Sequence, residues 1–86
     1  MSNKKIIIYS KDICPYCVKA KSLLQRKQLQ FEEIKITTDE LNQEMIKKSN
    51  GRMTVPQIFI DDYHVGGCDD LYALEASGKL NEILNK

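Results

Sequence analysis

The chain has 86 residues, and thirteen Lys and Arg against twelve Asp and Glu leave a formal net charge of +1 at pH 7. Hydrophobic residues make up 42% of the chain, close to the fraction in ordinary globular proteins, which argues against disorder and predicts one domain spanning residues 1–86. The balanced charge argues against the strongly basic surface of a nucleic-acid-binding protein, so we expect no nucleic acid as a partner.

The sequence contains no apolar run near the ~18 residues of a membrane span. The apolar stretch Ile6–Tyr9 is also too short for a secretory signal, whose apolar region has roughly 7–15 residues. We therefore expect no membrane partner and a cytoplasmic location, where thiols stay reduced. In that compartment the three cysteines indicate redox or metal chemistry rather than a structural disulfide.

In chain order, the hydrophobic pattern first predicts a buried strand at Ile6–Tyr9, a β-branched run preceded by lysines. A helix follows from Cys17 to about residue 28, because apolar side chains recur there at helical spacing. Apolar residues between positions 31 and 36 predict a second strand. Asp39 is expected to cap a second helix, which should end near Gly51.

The second half begins with a predicted hairpin, in which strands at Gln57–Ile60 and Tyr63–Val65 flank a two-residue turn. Two glycines should end the hairpin, and a third helix that opens near Asp69 should stop at Gly78. A short amphipathic helix completes the chain. The order β-α-β-α-β-β-α-α predicts an α/β fold with a four-stranded mixed sheet flanked by helices.

The run Cys14-Pro15-Tyr16-Cys17 carries the functional argument, because it lies directly after the first strand and at the start of a helix. In that context a C-x-x-C pair indicates a redox site. Pro15 suits the first helical position, which places Cys14 at the N-cap, where free N–H groups and the helix dipole favour a negative sulfur. Thiols so placed have pKa values of roughly 3.5–7.5, against ~8.5 for free cysteine, so we expect Cys14 to be largely thiolate.

Cys17 follows one helical turn later and can therefore form a disulfide with Cys14. The loop that this bond would close is too short to stabilise the fold much, which favours reversible opening and closing. Two alternatives stay open: half of a zinc site completed by His64 and Cys68, or a pair of inert thiols. Pro15 and the lack of a second close-spaced ligand pair favour the redox function, and we predict no metal site.

Three motifs together resemble the dithiol glutaredoxins, particularly the short bacterial type. They are Tyr9-Ser10-Lys11 leading into the C-x-x-C pair, Thr54-Val55-Pro56-Gln57-Ile58-Phe59-Ile60, and Gly66-Gly67-Cys68-Asp69-Asp70-Leu71. The resemblance covers nearly the whole chain. It implies a thioredoxin-like fold, glutathione as co-substrate and no tightly bound cofactor.

The resemblance also implies roles for individual residues. Cys14 matches the family's nucleophile, Cys17 matches its resolving cysteine, and the bond before Pro56 matches one that is cis in the family. The N–H groups of Cys68 and Asp69 would meet the γ-glutamyl carboxylate of glutathione. The positions that match the glutathione-binding residues of the family are Lys11, Tyr16, Thr54, Val55, Gln57, Cys68 and Asp69.

Some of these residues have a plainer interpretation as well. Lys11 alone is typical of a solvated loop, and Asp69 or Asp70 of a helix cap. Cys68 is either a small residue whose backbone matters or a regulatory thiol. We expect His64 to be an exposed strand residue.

The function that the resemblance implies is the reduction of protein–glutathione mixed disulfides and of protein disulfides. The expected partners are glutathione and glutathionylated or disulfide-containing proteins, with ribonucleotide reductase as a candidate, and we expect a monomer. The alternatives are a redoxin reduced by thioredoxin reductase and a carrier of zinc or of an iron–sulfur cluster.

Overall fold

The computed structural model describes residues 4–85, and within that range the elements follow the predicted order β-α-β-α-β-β-α-α. None of its helices is long and apolar enough to cross a membrane. The strands and helices are β1 Ile6–Ser10, α1 Pro15–Arg26, β2 Glu32–Lys35, α2 Asp39–Lys48, β3 Gln57–Ile60, β4 Tyr63–Gly66, α3 Cys68–Ser77 and α4 Lys79–Leu84.

The four strands form one mixed sheet in the order β2-β1-β3-β4. Strand β1 pairs parallel with β2, antiparallel strand β3 lies on its other side, and β4 forms an antiparallel hairpin with β3. The parallel pair requires a crossover, which α1 supplies. The predicted four-stranded mixed sheet flanked by helices is confirmed.

The helices cover the two faces of the sheet unequally. Because successive strand residues point to opposite faces, Ile8 packs on one side of β1 and Tyr9 on the other. The larger cluster joins Ile8 to side chains of α1, α3 and α4, while the smaller one joins Tyr9 to Met45 of α2 and Phe59 of β3. Strands β1 and β3 therefore contribute to both clusters and form the centre of the molecule.

Helix α1 begins at Pro15 with Cys14 as its N-cap, as the suitability of proline for the first helical position predicts. The start of α2 differs from the sequence prediction. The cap of α2 is Thr38 rather than Asp39, because the Thr38 hydroxyl accepts a hydrogen bond from the Leu41 N–H at 3.2 Å. Asp39 occupies the first turn instead, where its negative charge still meets the positive end of the helix dipole.

Candidate active site

The predicted redox pair lies where the chain passes from β1 into α1. Cys14 is the N-cap of α1 and has an extended backbone (φ −129°, ψ 100°). Its Sγ accepts a hydrogen bond from the Cys17 N–H at 3.3 Å. The first turn of the helix carries no acidic side chain, so a negative charge on Cys14 meets both the helix dipole and this N–H donor without a competing carboxylate there.

The two sulfurs of the pair have different surroundings. Both are free thiols, but Cys14 is partly exposed whereas Cys17 is only 1% exposed. Burial, reinforced by the hydrogen bond to Cys14, raises the pKa of the Cys17 thiol. The geometry thus separates an accessible sulfur at the mouth of the helix from a buried sulfur that stays protonated.

A cleft of about 510 Å³ opens beside this pair. Its walls come from three parts of the chain: the start of α1, the loop before β3 and the start of α3. The residues that line it are Tyr16, Arg52, Thr54, Val55, Pro56, Gly67, Cys68, Asp69 and Asp70.

The loop before β3 supplies one wall of the cleft. The Val55–Pro56 peptide bond is cis, and Pro56 is buried. Thr54 is exposed and Val55 half-buried, so both reach the cleft. Gln57 begins β3 directly after this loop, and its Nε2 donates a hydrogen bond to the Thr54 carbonyl oxygen at 3.0 Å.

The start of α3 supplies the opposite wall. Gly67 is the N-cap, and the Asp70 carboxylate accepts a hydrogen bond from the Gly67 N–H at 2.9 Å. Gly66 before it has a φ of +114°, and a Cβ at this position would collide with the Asp70 carboxylate. Cys68 is the first helical residue, and burial raises the pKa of its thiol. At position 66 only glycine lets β4 turn so closely into α3, because any side chain would collide with Asp70.

The predicted glutathione positions do not all lie on the cleft. Tyr16, Thr54, Val55, Cys68 and Asp69 line it. The two remaining predicted positions, Lys11 and Gln57, are not among the residues that line it.

Lys11 and Gln57 are these two positions. Lys11 lies exposed on the loop before Cys14 and is not among the lining residues. Gln57 is completely buried, and its side-chain amide is bound to Thr54 on one side and His64 on the other. Because the Gln57 amide is buried and both of its ends are hydrogen-bonded to the protein, it is not exposed to a ligand in the cleft.

Arg52 is a cleft residue that the sequence analysis missed. Its Nη2 lies 3.5 Å from Asp70 Oδ2, so a cation and a carboxylate meet at the rim. The only sequence signal was a basic residue two positions before Thr54, which is also typical of a solvated loop. The pairing of the two walls through Arg52 and Asp70 depends on tertiary structure alone.

The prediction that His64 is exposed is wrong. Its ring is half-buried and stacks on Phe59, with ring centroids 4.9 Å apart and planes 25° apart. Its Nε2 lies 2.7 Å from Gln57 Oε1. Burial, and then the positive charge of Arg52, lower the pKa of His64, while Asp70 acts in the opposite direction.

An ion pair ties the middle of α1 to the end of the sheet below the redox pair. Lys21 Nζ lies 2.8 Å from Glu33 Oε2 on β2, and the Ser10 hydroxyl donates to the same oxygen at 2.6 Å. These two donors, Lys21 first, hold the pKa of Glu33 below its ordinary value. The network holds the helix that carries Cys14 against β1 and β2.

Comparison with known proteins shows the family and the fold of the chain. The family model described as Glutaredoxin matches residues 6–65. The chain belongs to the glutaredoxin family. A glutaredoxin 1 of Rickettsia prowazekii (strain Madrid E) is 56% identical to it over 81 residues, which cover 92% of this chain and 85% of the Rickettsia protein. This glutaredoxin is therefore an enzyme, a glutathione-dependent disulfide oxidoreductase.

Solved structures confirm the thioredoxin-like fold of this glutaredoxin. The solution structure of a glutaredoxin from Brucella melitensis is 54% identical, with a TM-score of 0.84, and the match covers 98% of this chain and 91% of that one. The crystal structure of a buckwheat glutaredoxin–glutathione complex has a TM-score of 0.86 at 27% identity. That match covers 98% of this chain and 79% of the buckwheat chain.

Proposed function

We propose that this glutaredoxin reduces protein–glutathione mixed disulfides and protein disulfides, with Cys14 as the nucleophile and Cys17 as the resolving thiol. The observation that carries the proposal is the contrast between the two sulfurs. Cys14 is accessible and accepts an N–H at a helix start, while Cys17 is buried and protonated beside it. Thiol–disulfide exchange needs an accessible sulfur, and of the three cysteines Cys14 alone is not buried.

In the monothiol reaction, the Cys14 thiolate attacks the glutathione sulfur of a protein–glutathione mixed disulfide. The bond between the two substrate sulfurs breaks, and the protein thiolate leaves and takes up a proton. A glutathione thiolate then attacks the glutathione sulfur now bound to Cys14. The products are oxidised glutathione and the free Cys14 thiolate, so the two electrons come from glutathione.

In the dithiol reaction, Cys14 attacks one sulfur of a protein disulfide and forms a mixed disulfide with the substrate. Cys17 then loses its proton and attacks Cys14 Sγ, which releases the reduced substrate and leaves a Cys14–Cys17 disulfide. Two molecules of glutathione reduce that disulfide in turn. The hydrogen bond between the two residues already holds Cys17 beside Cys14, as this intramolecular attack requires.

The cleft beside Cys14 is the proposed glutathione site. The Val55 backbone can pair with the extended ligand, and the N–H groups of Cys68 and Asp69 at the start of α3 suit a carboxylate. Tyr16 and Thr54 would flank the ligand. The buckwheat glutaredoxin solved with glutathione supports this proposal.

Lys11 and Gln57 take different roles in this proposal. Lys11 is exposed on the loop before Cys14, so its long side chain can turn toward the glycyl carboxylate. Gln57 acts on the ligand only through the Thr54 loop that it holds. Pro56 shapes the same loop as the residue after the cis bond.

The wider proposals rest on the family resemblance. They are that the protein works in the cytoplasm as a monomer, with its single domain spanning the chain and no tightly bound cofactor. Its partners would be glutathione and glutathionylated or disulfide-containing proteins, with ribonucleotide reductase as a candidate substrate. Neither a nucleic acid nor a membrane is proposed as a partner.

A coupled assay with glutathione, glutathione reductase and a glutathionylated peptide tests the function. Cys17→Ser is expected to keep much of the deglutathionylation activity and to lose most of the reduction of a protein disulfide, because only the second reaction needs a resolving thiol. Cys14→Ser is expected to lose both, because neither reaction can begin without the nucleophile. Retained turnover in Cys14→Ser would refute the assignment.

Two further measurements separate the alternatives. A redoxin that depends on thioredoxin reductase would turn over rapidly with that flavoenzyme and slowly with glutathione. A metal carrier would hold a stoichiometric metal after anaerobic purification and lose it in Cys14→Ser. Among residues 4–85, no group of three or more His, Cys, Asp or Glu side chains is arranged to hold a metal ion.

A further inference from the structure

A short series of hydrogen bonds connects the edge strand β4 to the wall of the cleft. His64 on β4 meets Gln57 Oε1 through its Nε2 at 2.7 Å. The Nε2 of Gln57 in turn donates to the Thr54 carbonyl oxygen at 3.0 Å and to the Thr54 hydroxyl at 3.3 Å. Because Thr54 and Val55 line the cleft, the series ends at the proposed ligand site.

The Thr54 carbonyl oxygen determines which group donates and which accepts in each of these hydrogen bonds. The Thr54 carbonyl oxygen can only accept, so the amide nitrogen of Gln57 must face it and the amide oxygen must face His64. His64 Nε2 therefore carries the proton and donates it to Gln57. Stacking on Phe59 holds the imidazole ring in the plane from which it does so.

Burial makes each of these bonds matter. Gln57 has no exposed surface, so water cannot replace a lost partner. Without the His64 donor, the Gln57 oxygen would be buried and unsatisfied, which is costly enough to rotate the amide toward other partners. Rotation would withdraw the donor from Thr54 and release the carbonyl that the series holds.

We propose that His64 is a positioning residue for the cleft: by orienting the Gln57 amide, it holds Thr54 and Val55 in the conformation that binds glutathione. This inference rests on the proposed function of the cleft. His64 is not among the residues that line the cleft, so it acts through its hydrogen bond to Gln57. The charged groups that face its ring are Arg52 on the loop before β3 and Asp70 on α3.

The first test begins with the unaltered protein. The His64 ring and the backbone amides of Thr54 and Val55 are followed by NMR as pH is lowered in the ligand-free protein. Protonation makes the His64–Gln57 bond charge-assisted and stronger, so both amides should titrate with the midpoint of the ring. Gln57→Met should abolish the response of the amides while the ring still titrates.

Two outcomes of this titration would overturn the proposal. One is that the wild-type amides ignore the His64 midpoint. The other is that they respond equally in Gln57→Met, which would mean that the charge acts through space rather than through the amide.

The second test measures turnover in variants of β4. His64→Phe keeps an aromatic ring against Phe59 but removes the donor, and we expect the apparent KM for a glutathionylated peptide to rise about fivefold, the equivalent of one net hydrogen bond, with kcat little changed. His64→Gln supplies an N–H donor again and should bring KM back to within about twofold of the parent. Tyr63→Phe, on the same strand, is the control and should change nothing.

The results distinguish the positioning role of His64 from the proposed function on which it rests. A wild-type protein that does not turn over glutathionylated peptide would sink the proposed function. Normal wild-type turnover together with an unchanged KM in His64→Phe would contradict the positioning role alone. A KM that rises equally in His64→Phe and His64→Gln would also contradict it, because the donor would then be irrelevant.

Discussion

At the scale of single residues, the start of α3 at the site depends on a glycine whose missing side chain leaves room for a neighbouring carboxylate. Gly66 shows this most directly, since it combines a φ of +114° with a position against the Asp70 carboxylate. Gly51 has a comparable φ of +99° but nothing within 4 Å of the position where a Cβ would lie. The pair therefore separates the cost of the backbone conformation from the cost of the collision.

Gly66→Ala is expected to destabilise the protein more than Gly51→Ala. The left-handed conformation alone costs an alanine about 1–2 kcal/mol, and the collision with Asp70 adds roughly another 1–3 kcal/mol. The free energy of unfolding in urea measures both variants. Equal losses in the two would show that α3 moves away without cost and that the close approach does not matter.

At the scale of elements, the attachment of α1 to the sheet is sensitive to acid. The folded-state pKa of Glu33 is lowered by Lys21 and Ser10, so this network stabilises the fold above the ordinary glutamate pKa and loses that stabilisation as pH falls through the folded value. The helix that carries Cys14 is thus held most firmly at neutral pH.

Glu33→Gln should lower the free energy of unfolding at neutral pH by on the order of 1 kcal/mol, because the pair is partly exposed. The gap between variant and parent should narrow below pH 4.5, the ordinary value for this carboxyl. Urea unfolding at several pH values measures it, with Glu32→Gln, an exposed neighbour on β2, as the control. If the difference in the free energy of unfolding between Glu33→Gln and the parent stayed constant with pH, the ionised pair could not be its cause.

At the scale of the whole molecule, β1 and β3 join the two apolar clusters, since both strands send side chains to each face. A perturbation on one face should therefore be felt by the entire fold. This arrangement supports the prediction that the chain is one cooperative domain.

Ile8→Val in the larger cluster should cost about 0.5–1.5 kcal/mol and Met45→Ala in the smaller one about 2–5 kcal/mol. Each variant should show a single unfolding transition at a lower urea concentration than the parent. Circular dichroism and tyrosine fluorescence should give the same midpoint for it. Two separated transitions in Met45→Ala would mean that the α2 face unfolds independently and that the chain is not one cooperative unit.

Much of the fold was predictable because it follows from short stretches of sequence. The strands at β1 and β3 are apolar runs, and the hairpin between β3 and β4 needs only a two-residue turn. Helix boundaries were less certain, because Thr38 and Asp39 are both good caps and only the backbone geometry chooses between them.

The sequence by itself determined the geometry of the predicted redox pair, because Cys14, Pro15 and Cys17 lie within one helical turn and the geometry of that turn is local. Only the tertiary structure decided which other side chains reach the cleft. Arg52 meets Asp70 because the loop before β3 packs against the start of α3, and Gln57 meets His64 across the β3–β4 hairpin. The first contact depends on how the sheet and α3 are assembled, and the second depends on which face of the hairpin is buried.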